Sequence, residues 1–408
     1  MRGRLALVCL ACVLVAGCGG SGLPFVGTAS GPGVIHGPVK VALVDVFSGT
    51  SPYAAISPYL QNSVQLEIDA LNAQGGLMGD QVKLVTADDQ LDPTHTATVV
   101  KQLLADRSVR LVVGPSLAGL YLGAMPAVNQ AKVPDCVINM AADDLMANAP
   151  YTFRAGAPDQ ASVPALLGYV QHGTQIKKIG LVTVDDGVGR ADDAQLGDQA
   201  PHFGLQYVGA AFVPAGGDQK AQVQQMIKLG ADAIVLSDDP ATAARTVQAI
   251  GTLKATAKLK TLGFGGLGSY AFPQQAGDPA NGLTFTSTIE TYLSDVPPAR
   301  WPPAYHDFVT KAQARFGLAA NGVEIKAVPA AADCILQWAK AVQAANGFDG
   351  TAVAKAWESL DVPAAESLLG VRERFAADDH DAVPADGLDV YQWVKNGDRW
   401  GLKQLTGP

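Results

Sequence analysis

The side chains that could do chemistry here are acids, hydroxyls and thiols, and their spacing favours holding a solute over transforming one. Two adjacent acid pairs, Asp185-Asp186 and Asp238-Asp239, each close an apolar run. Paired acids can serve catalysis, but acids at strand ends more often cap helices or bind ligand. There is no Gly-x-Ser-x-Gly nucleophile elbow and no Gly-x-x-x-x-Gly-Lys-Ser/Thr phosphate loop. The six histidines show no His-x-x-His spacing, and Cys136 and Cys334 lack neighbours of metal-ligand type, so neither metal nor cofactor is expected. Residues 263–268 satisfy Gly-x-Gly-x-x-Gly, but the following segment is short, broken by Pro273, and lacks the acid a dinucleotide ribose needs. What remains are loops suited to binding. Ser51 and Tyr53 lie in a hydroxyl-rich loop, 48–53. Ser116, Ala118 and Gly119 open a helix whose free N–H groups suit a carboxylate. Asp185, Ser237, Asp238 and Tyr270 lie in or beside loops of the second half, with Tyr121 a further aromatic.

These loops need elements to hold them, and the apolar periodicity supplies alternating strands and helices. Strands are expected at 39–47, 81–87, 109–113 and 133–138. Leu60, Val64, Ile68 and Leu71 follow helical spacing, and Gly75-Gly76 ends that helix. The alternation restarts at Ile176, with strands at 179–184, 206–213, 233–237, 260–264 and 283–286. Helices follow at 301–316, 325–345 and 351–360, then closing strands at 371–375 and 388–394. Strict alternation points to an α/β fold with parallel sheets covered by helices on both faces. The last elements cannot form a sheet alone, so they complete the two earlier units. The chain must therefore pass between the units more than once.

Of the residues, 48% are hydrophobic and 16% charged, which excludes a disordered chain. Arg2 and Arg4 precede an apolar run too short to span a bilayer, and Val15-Ala16-Gly17-Cys18 closes it. This pattern resembles a bacterial lipoprotein signal. It implies that residues 1–17 are removed, Cys18 is acylated, and the protein is tethered outside the cytoplasmic membrane. Residues 18–38, rich in Gly, Ser and Pro, read as the tether. The net charge of −9 becomes −11 once Arg2 and Arg4 are lost, a field that disfavours nucleic acid. An exported compartment permits a Cys136–Cys334 disulfide, and two buried thiols are the alternative.

Several stretches together resemble the leucine/isoleucine/valine-binding type of ABC-importer substrate-binding proteins. They include Val41-Ala-Leu-Val-Asp-Val-Phe-Ser-Gly49, Asp88-Asp-Gln-Leu-Asp-Pro93, Val112-Val-Gly-Pro115, Pro150-Tyr-Thr-Phe-Arg154, Gly189-Arg190, and residues 375–380. The resemblance implies the type I periplasmic-binding fold: two Rossmann-like lobes joined by three hinge crossovers, with a small polar solute between them. Residues 39–153 plus 288–362 would form lobe 1, and 154–287 plus 363–408 lobe 2. The solute would be an amino acid or related carboxylate or amide, and the partners an ABC permease and ATPase meeting a monomeric protein. By the same resemblance Ala141, Ala142 and Asp143 would present groups to the ligand. A serine is usual near Leu117 or Ala118, an aromatic at Val188, and near Leu267 an acid that meets the ligand ammonium. This chain departs at each of these positions. Two other roles use the same architecture: a sensor signalling to a membrane partner, and an enzyme on a similar fold.

Overall fold

The computed structural model describes residues 37–115, 117–138, 146, 148–185, 187–213, 217–237, 240–256, 258–289, 296–317 and 327–406. The first sheet holds β1 (Val39–Asp45), β2 (Val82–Asp88), β3 (Val109–Val113), β4 (Asp135–Val137) and β5 (Thr152–Arg154). Its order is β2-β1-β3-β4-β5, and every pairing is parallel. The helices between its strands are α1 (Pro52–Ala73), α2 (Pro93–Ala105) and α3 (Ala118–Ala131). The period-2 rule shows directly in β1. Val39, Val41 and Leu43 pack in one core with α1, whereas Val44 packs in another with Val100 of α2 and Val128 of α3. The α1 helix starts at a Ser51 cap, where the hydroxyl accepts from the Ala54 N–H at 3.2 Å. The turn past its C-cap, Gln74, requires glycine: at Gly76, φ is +87° and a Cβ would lie 2.1 Å from the Asp80 carbonyl oxygen.

The second sheet holds β6 (Lys178–Val184), β7 (Gln206–Val213), β8 (Ala233–Leu236), β9 (Lys260–Gly263) and β10 (Thr284–Ser287). Its helices are α4 (Asp159–Gly173), α5 (Gly187–Gln199), α6 (Lys220–Leu229), α7 (Pro240–Thr252) and α8 (Ala271–Ala276). Ala233 and Val235 face the core under α4 and α5, while Ile234 and Leu236 face the core under α6 and α7.

After β10 the chain returns to the first sheet. There α9 (Pro303–Phe316), α10 (Pro329–Ala344) and α11 (Gly350–Trp357) pack. Ile335, Trp338, Val353 and Trp357 share a core with Val41 and Leu43. Cys334 of α10 is bonded to Cys136 of β4, with Cα atoms 5.8 Å apart. Among the described residues, the short strands β11 (Asp361–Val362) and β12 (Glu373–Arg374) pair only with each other. The chain then enters β13 (Asp389–Asn396) and β14 (Arg399–Gln404). These extend the second sheet to β14-β13-β10-β9-β8-β6-β7, with β13 antiparallel to both neighbours. The second sheet is thus mixed rather than wholly parallel.

One boundary differs from the sequence expectation. Residues 363–383, expected in lobe 2, pack instead with the first sheet: Leu369, Phe375, Ala382 and Val383 are buried in its core. The reason lies at Arg154. Its guanidinium holds the Asp381 carboxylate through Nε–Oδ1 at 2.6 Å and Nη2–Oδ2 at 3.0 Å. The two backbones bond as well, Arg154 N–H to the His380 carbonyl and Ala382 N–H to the Arg154 carbonyl, each at 2.9 Å. Phe153 stacks on Trp357 and on His380, with ring centroids 4.4 Å apart in both cases. The last passage between sheets therefore lies after Val383.

Two stability outcomes follow. Cys136→Ala/Cys334→Ala should lower unfolding free energy by about 2–4 kcal/mol, read from urea titrations. Arg154→Met strands a buried carboxylate and should cost about 3–5 kcal/mol, and Arg154→Met/Asp381→Leu should cost less than the single change. A double variant weaker than the single one would show that the Asp381 carboxylate is not stranded by loss of Arg154.

Candidate functional site

Parallel strands deliver their carboxyl ends to one edge of each sheet, and loops from that edge are where an α/β protein binds solutes. On the first sheet, acids at the ends of β1 and β2 build the loop after β1. Asp45 accepts from the Val46 N–H at 2.7 Å and the Ser57 hydroxyl at 3.1 Å, fixing the loop to α1. Asp88 accepts from the Phe47 N–H at 2.9 Å and the Gln90 N–H at 3.0 Å. Partial burial disfavours the Asp88 charge, but bonds from the Ser48 hydroxyl and from these N–H groups outweigh it. The carboxyl is held below its usual range. Asp89 is fully buried; one oxygen accepts from the Leu91 N–H at 3.0 Å and the other has no partner among the described residues. Burial, with the Asp45 and Asp88 charges nearby, pushes its carboxyl up to about 6.

This framework leaves Ser48, Gly49 and Thr50 exposed, with Ser51 and Tyr53 half-buried behind them. The Ser51 hydroxyl is engaged as the α1 cap. At α3, Leu117 occupies the cap position with no side-chain cap bond, so the N–H groups of Ala118 and Gly119 have no partner within the helix. Tyr121 is turned inward: its side chain is buried and its hydroxyl donates to Thr152 Oγ1 at 3.0 Å. Ser116, Ala141, Ala142 and Asp143 lie outside the described residues.

On the second sheet, Asp185 and Arg190 form an exposed ion pair at 2.5 Å across the start of α5, with the guanidinium 4.8 Å over the Phe212 ring. That helix approaches its strand closely, since a Cβ at Gly189 would lie 2.2 Å from the Val184 carbonyl oxygen. Val188 is exposed beside the pair. Ser237 donates its hydroxyl to Thr183 Oγ1 at 3.0 Å, joining the ends of β8 and β6. Asp238, and Asp239 beside it, lie outside the described residues. Two expected positions do not face this edge. Leu267 is buried against Gly263, and its carbonyl accepts from Trp393 Nε1 at 2.7 Å. Tyr270 is buried edge-on to Trp393, with centroids 4.8 Å apart. Both belong to the lobe 2 core, because Trp393 arrives on a strand from the far end of the chain.

Sequence reasoning missed Arg190 and Thr183 as neighbours of the site. Arg190 had only the Gly189-Arg190 dipeptide as a signal, and Thr183 only its place near the end of an apolar run. Among the described residues no cluster of three or more His, Cys, Asp or Glu could hold a metal, and no helix is long and apolar enough to cross a membrane.

The model of the periplasmic binding protein family matches residues 38–398. The chain belongs to the periplasmic binding protein family. The Leu/Ile/Val-binding protein BraC3 of Rhizobium johnstonii is 30% identical over 87 residues, 21% of this chain and 23% of that protein. Leu/Ile/Val-binding protein homolog 8 of Brucella suis is 22% identical over 86% of this chain and 89% of its own length. Among solved structures, the branched-chain amino acid transporter substrate binding protein LivJ from Streptococcus pneumoniae, in complex with isoleucine, aligns with TM-score 0.70 at 21% identity. That alignment covers 90% of this chain and 100% of LivJ. A solute binding protein of an ABC transporter from R. palustris, in complex with 4-hydroxybenzoate, aligns with TM-score 0.74 at 20% identity. It covers 90% of this chain and 96% of that one. The fold of this periplasmic binding protein is thus type I, and its two sheets are the two lobes.

Asp89 gives the site a pH signature. Its folded carboxyl holds a proton up to about pH 6, above the ordinary 3.8, so its contribution to stability is full below about 3.8 and is lost as pH rises through 6. Asp89→Asn should gain on the parent protein between pH 4 and pH 6 and hold a constant margin above. Urea midpoints at pH 4, 5, 6 and 7 test this, and a pH-independent margin would rule out the held proton.

Proposed function

We propose that this protein is the solute-binding component of an ABC importer, acylated at Cys18, that takes a small carboxylate-bearing solute between its lobes. The observation that carries the reading is the family match over residues 38–398, together with exposed polar residues after the carboxyl ends of strands in both sheets, Ser48 and Thr50 after β1 and Asp185 after β6. The Cys136–Cys334 bond suits an oxidising, extracytoplasmic compartment. Isoleucine and 4-hydroxybenzoate, the ligands of two structural neighbours, share a carboxylate and differ in the ammonium group. The uncapped start of α3 is suited to the shared group, with the Ala118 and Gly119 N–H groups as donors. Lobe 2 would then read the rest of the molecule through Asp185, Arg190 and the Ser237 hydroxyl. Binding to one lobe, closure of the other about the three crossings, and docking of the closed monomer on the permease complete the cycle without a chemical step.

A thermal-shift screen of the chain beginning after Cys18 tests the reading. Its panel is amino acids, their deaminated acids, aromatic acids, amides and polyols. A cleft ligand at a hundred times its Kd should stabilise by about 2.7 kcal/mol. Stabilisation by amino acids should weaken in Asp185→Asn. Stabilisation by acids without an ammonium should weaken in Arg190→Ala. No stabilisation by any carboxylate would end the proposal.

A further inference from the structure

We infer that lobe 2 carries a second binding recess, remote from the cleft, for an amphiphilic anion: a carboxylate or phosphate head on an apolar body. The recess encloses about 430 Å³, within the range of roughly 300–1,000 Å³ of small-molecule sites. It lies at the amino ends of the lobe 2 strands, where Asp232 precedes β8, Lys260 begins β9 and Gly282 precedes β10. Asp185 and Ser237 follow the opposite ends of β6 and β8. A molecule held here would touch nothing assigned to the cleft.

Its lining has two characters. Ile176, Val247, Ile250, Leu259 and Leu262, each almost fully buried, make its apolar floor. Tyr169, half-buried, stands at its side, and burial raises its hydroxyl above the ordinary range, keeping it a proton donor. At the rim are Lys258 and Lys260, both exposed and neither in an ion pair among the described residues. Two of the other polar lining groups, Gln392 and Asp232, are engaged within the fold. Gln392 donates to the Gly282 carbonyl at 3.3 Å and to Thr284 Oγ1 at 3.1 Å. Asp232 is the single acid among the described lining residues, and its Oδ2 accepts the Lys177 and Lys178 N–H groups, each at 2.9 Å. The backbone puts these residues in a row: Asp232 N–H donates to the Lys178 carbonyl and Lys260 N–H to the Asp232 carbonyl. Lysines 177, 178, 258 and 260 thus gather at one pole of a chain whose net charge is −9. Unpaired cations above an apolar floor call for a ligand with an anionic head and an apolar tail.

Calorimetry on the folded chain would use decanoate and decyl phosphate, with decanol and inorganic phosphate as tail-only and head-only controls. Saturable binding of one decanoate or decyl phosphate per chain is expected, weaker at high salt, with both controls much weaker. Lys258→Gln/Lys260→Gln changes exposed side chains and should lower affinity at least about tenfold. Asp185→Ala/Ser237→Ala should leave it unchanged, which separates this site from the cleft and its proposed solute. Tighter decyl phosphate supports the site with a lipid-headgroup source, and tighter decanoate supports it with a free acid as the source. Absence of saturable binding, equal binding by decanol, or unchanged affinity in the lysine variant would overturn the proposal.

Discussion

The architecture depends on a buried two-point ion pair between Arg154 and Asp381. A charge taken out of water is tolerated only when its partner is geometrically exact and the remaining donors are met. Here the pair is two-pronged, Gln160 adds a bond to Asp381 at 3.0 Å, and backbone bonds flank it on both sides. Arg154 ends the last strand of the first sheet, and Asp381 stands shortly before the chain leaves for β13. The pair therefore ties the first and third passages between lobes to the same point of lobe 1. Phe153 stacks between Trp357 and His380 beside that point, so aromatic rings pack the lobe 1 side of both passages.

Lobe 1's acids are spent on construction. Asp45 and Asp88 bind N–H and hydroxyl groups of the loop after β1, and Asp89 is buried beneath them. The negative charge at this edge is thus committed to shaping a loop rather than offered to a cation. On lobe 2 the exposed Asp185–Arg190 pair is of the weak, solvent-screened kind, so either partner can be recruited at low cost. On the proposed reading, the choice between ammonium and anion would fall to lobe 2.

The alternation of apolar runs with helical spacing was enough to read the α/β class and most strands, because burial on both faces leaves a strong signal. What it could not convey is which sheet a late segment joins. Residues 363–383 have little periodicity, and their place depends on one arginine that precedes them by more than two hundred positions. The last strand was missed for a different reason. Asn396 pairs with Arg399 across a tight turn with Gly397 at φ +63°, and Asn-Gly is a strong hairpin signal that the reading passed over. Among candidate site residues, the exposure of the loop at 48–50 follows from its polar residue types. The places of Leu267 and Tyr270 were not legible, because their burial is imposed by Trp393, which no local pattern links to them.

The Cys136–Cys334 bond closes a covalent ring of chain that contains all of β6 to β10 and the first two passages between lobes. Only the third passage lies outside it. A protease that cuts an exposed loop of lobe 2 within that ring opens the polypeptide but leaves a single molecule. The two halves of lobe 1 stay joined through sulfur until a reductant arrives. In an environment where proteases are common and reductants scarce, the bond makes a nick in lobe 2 a survivable injury.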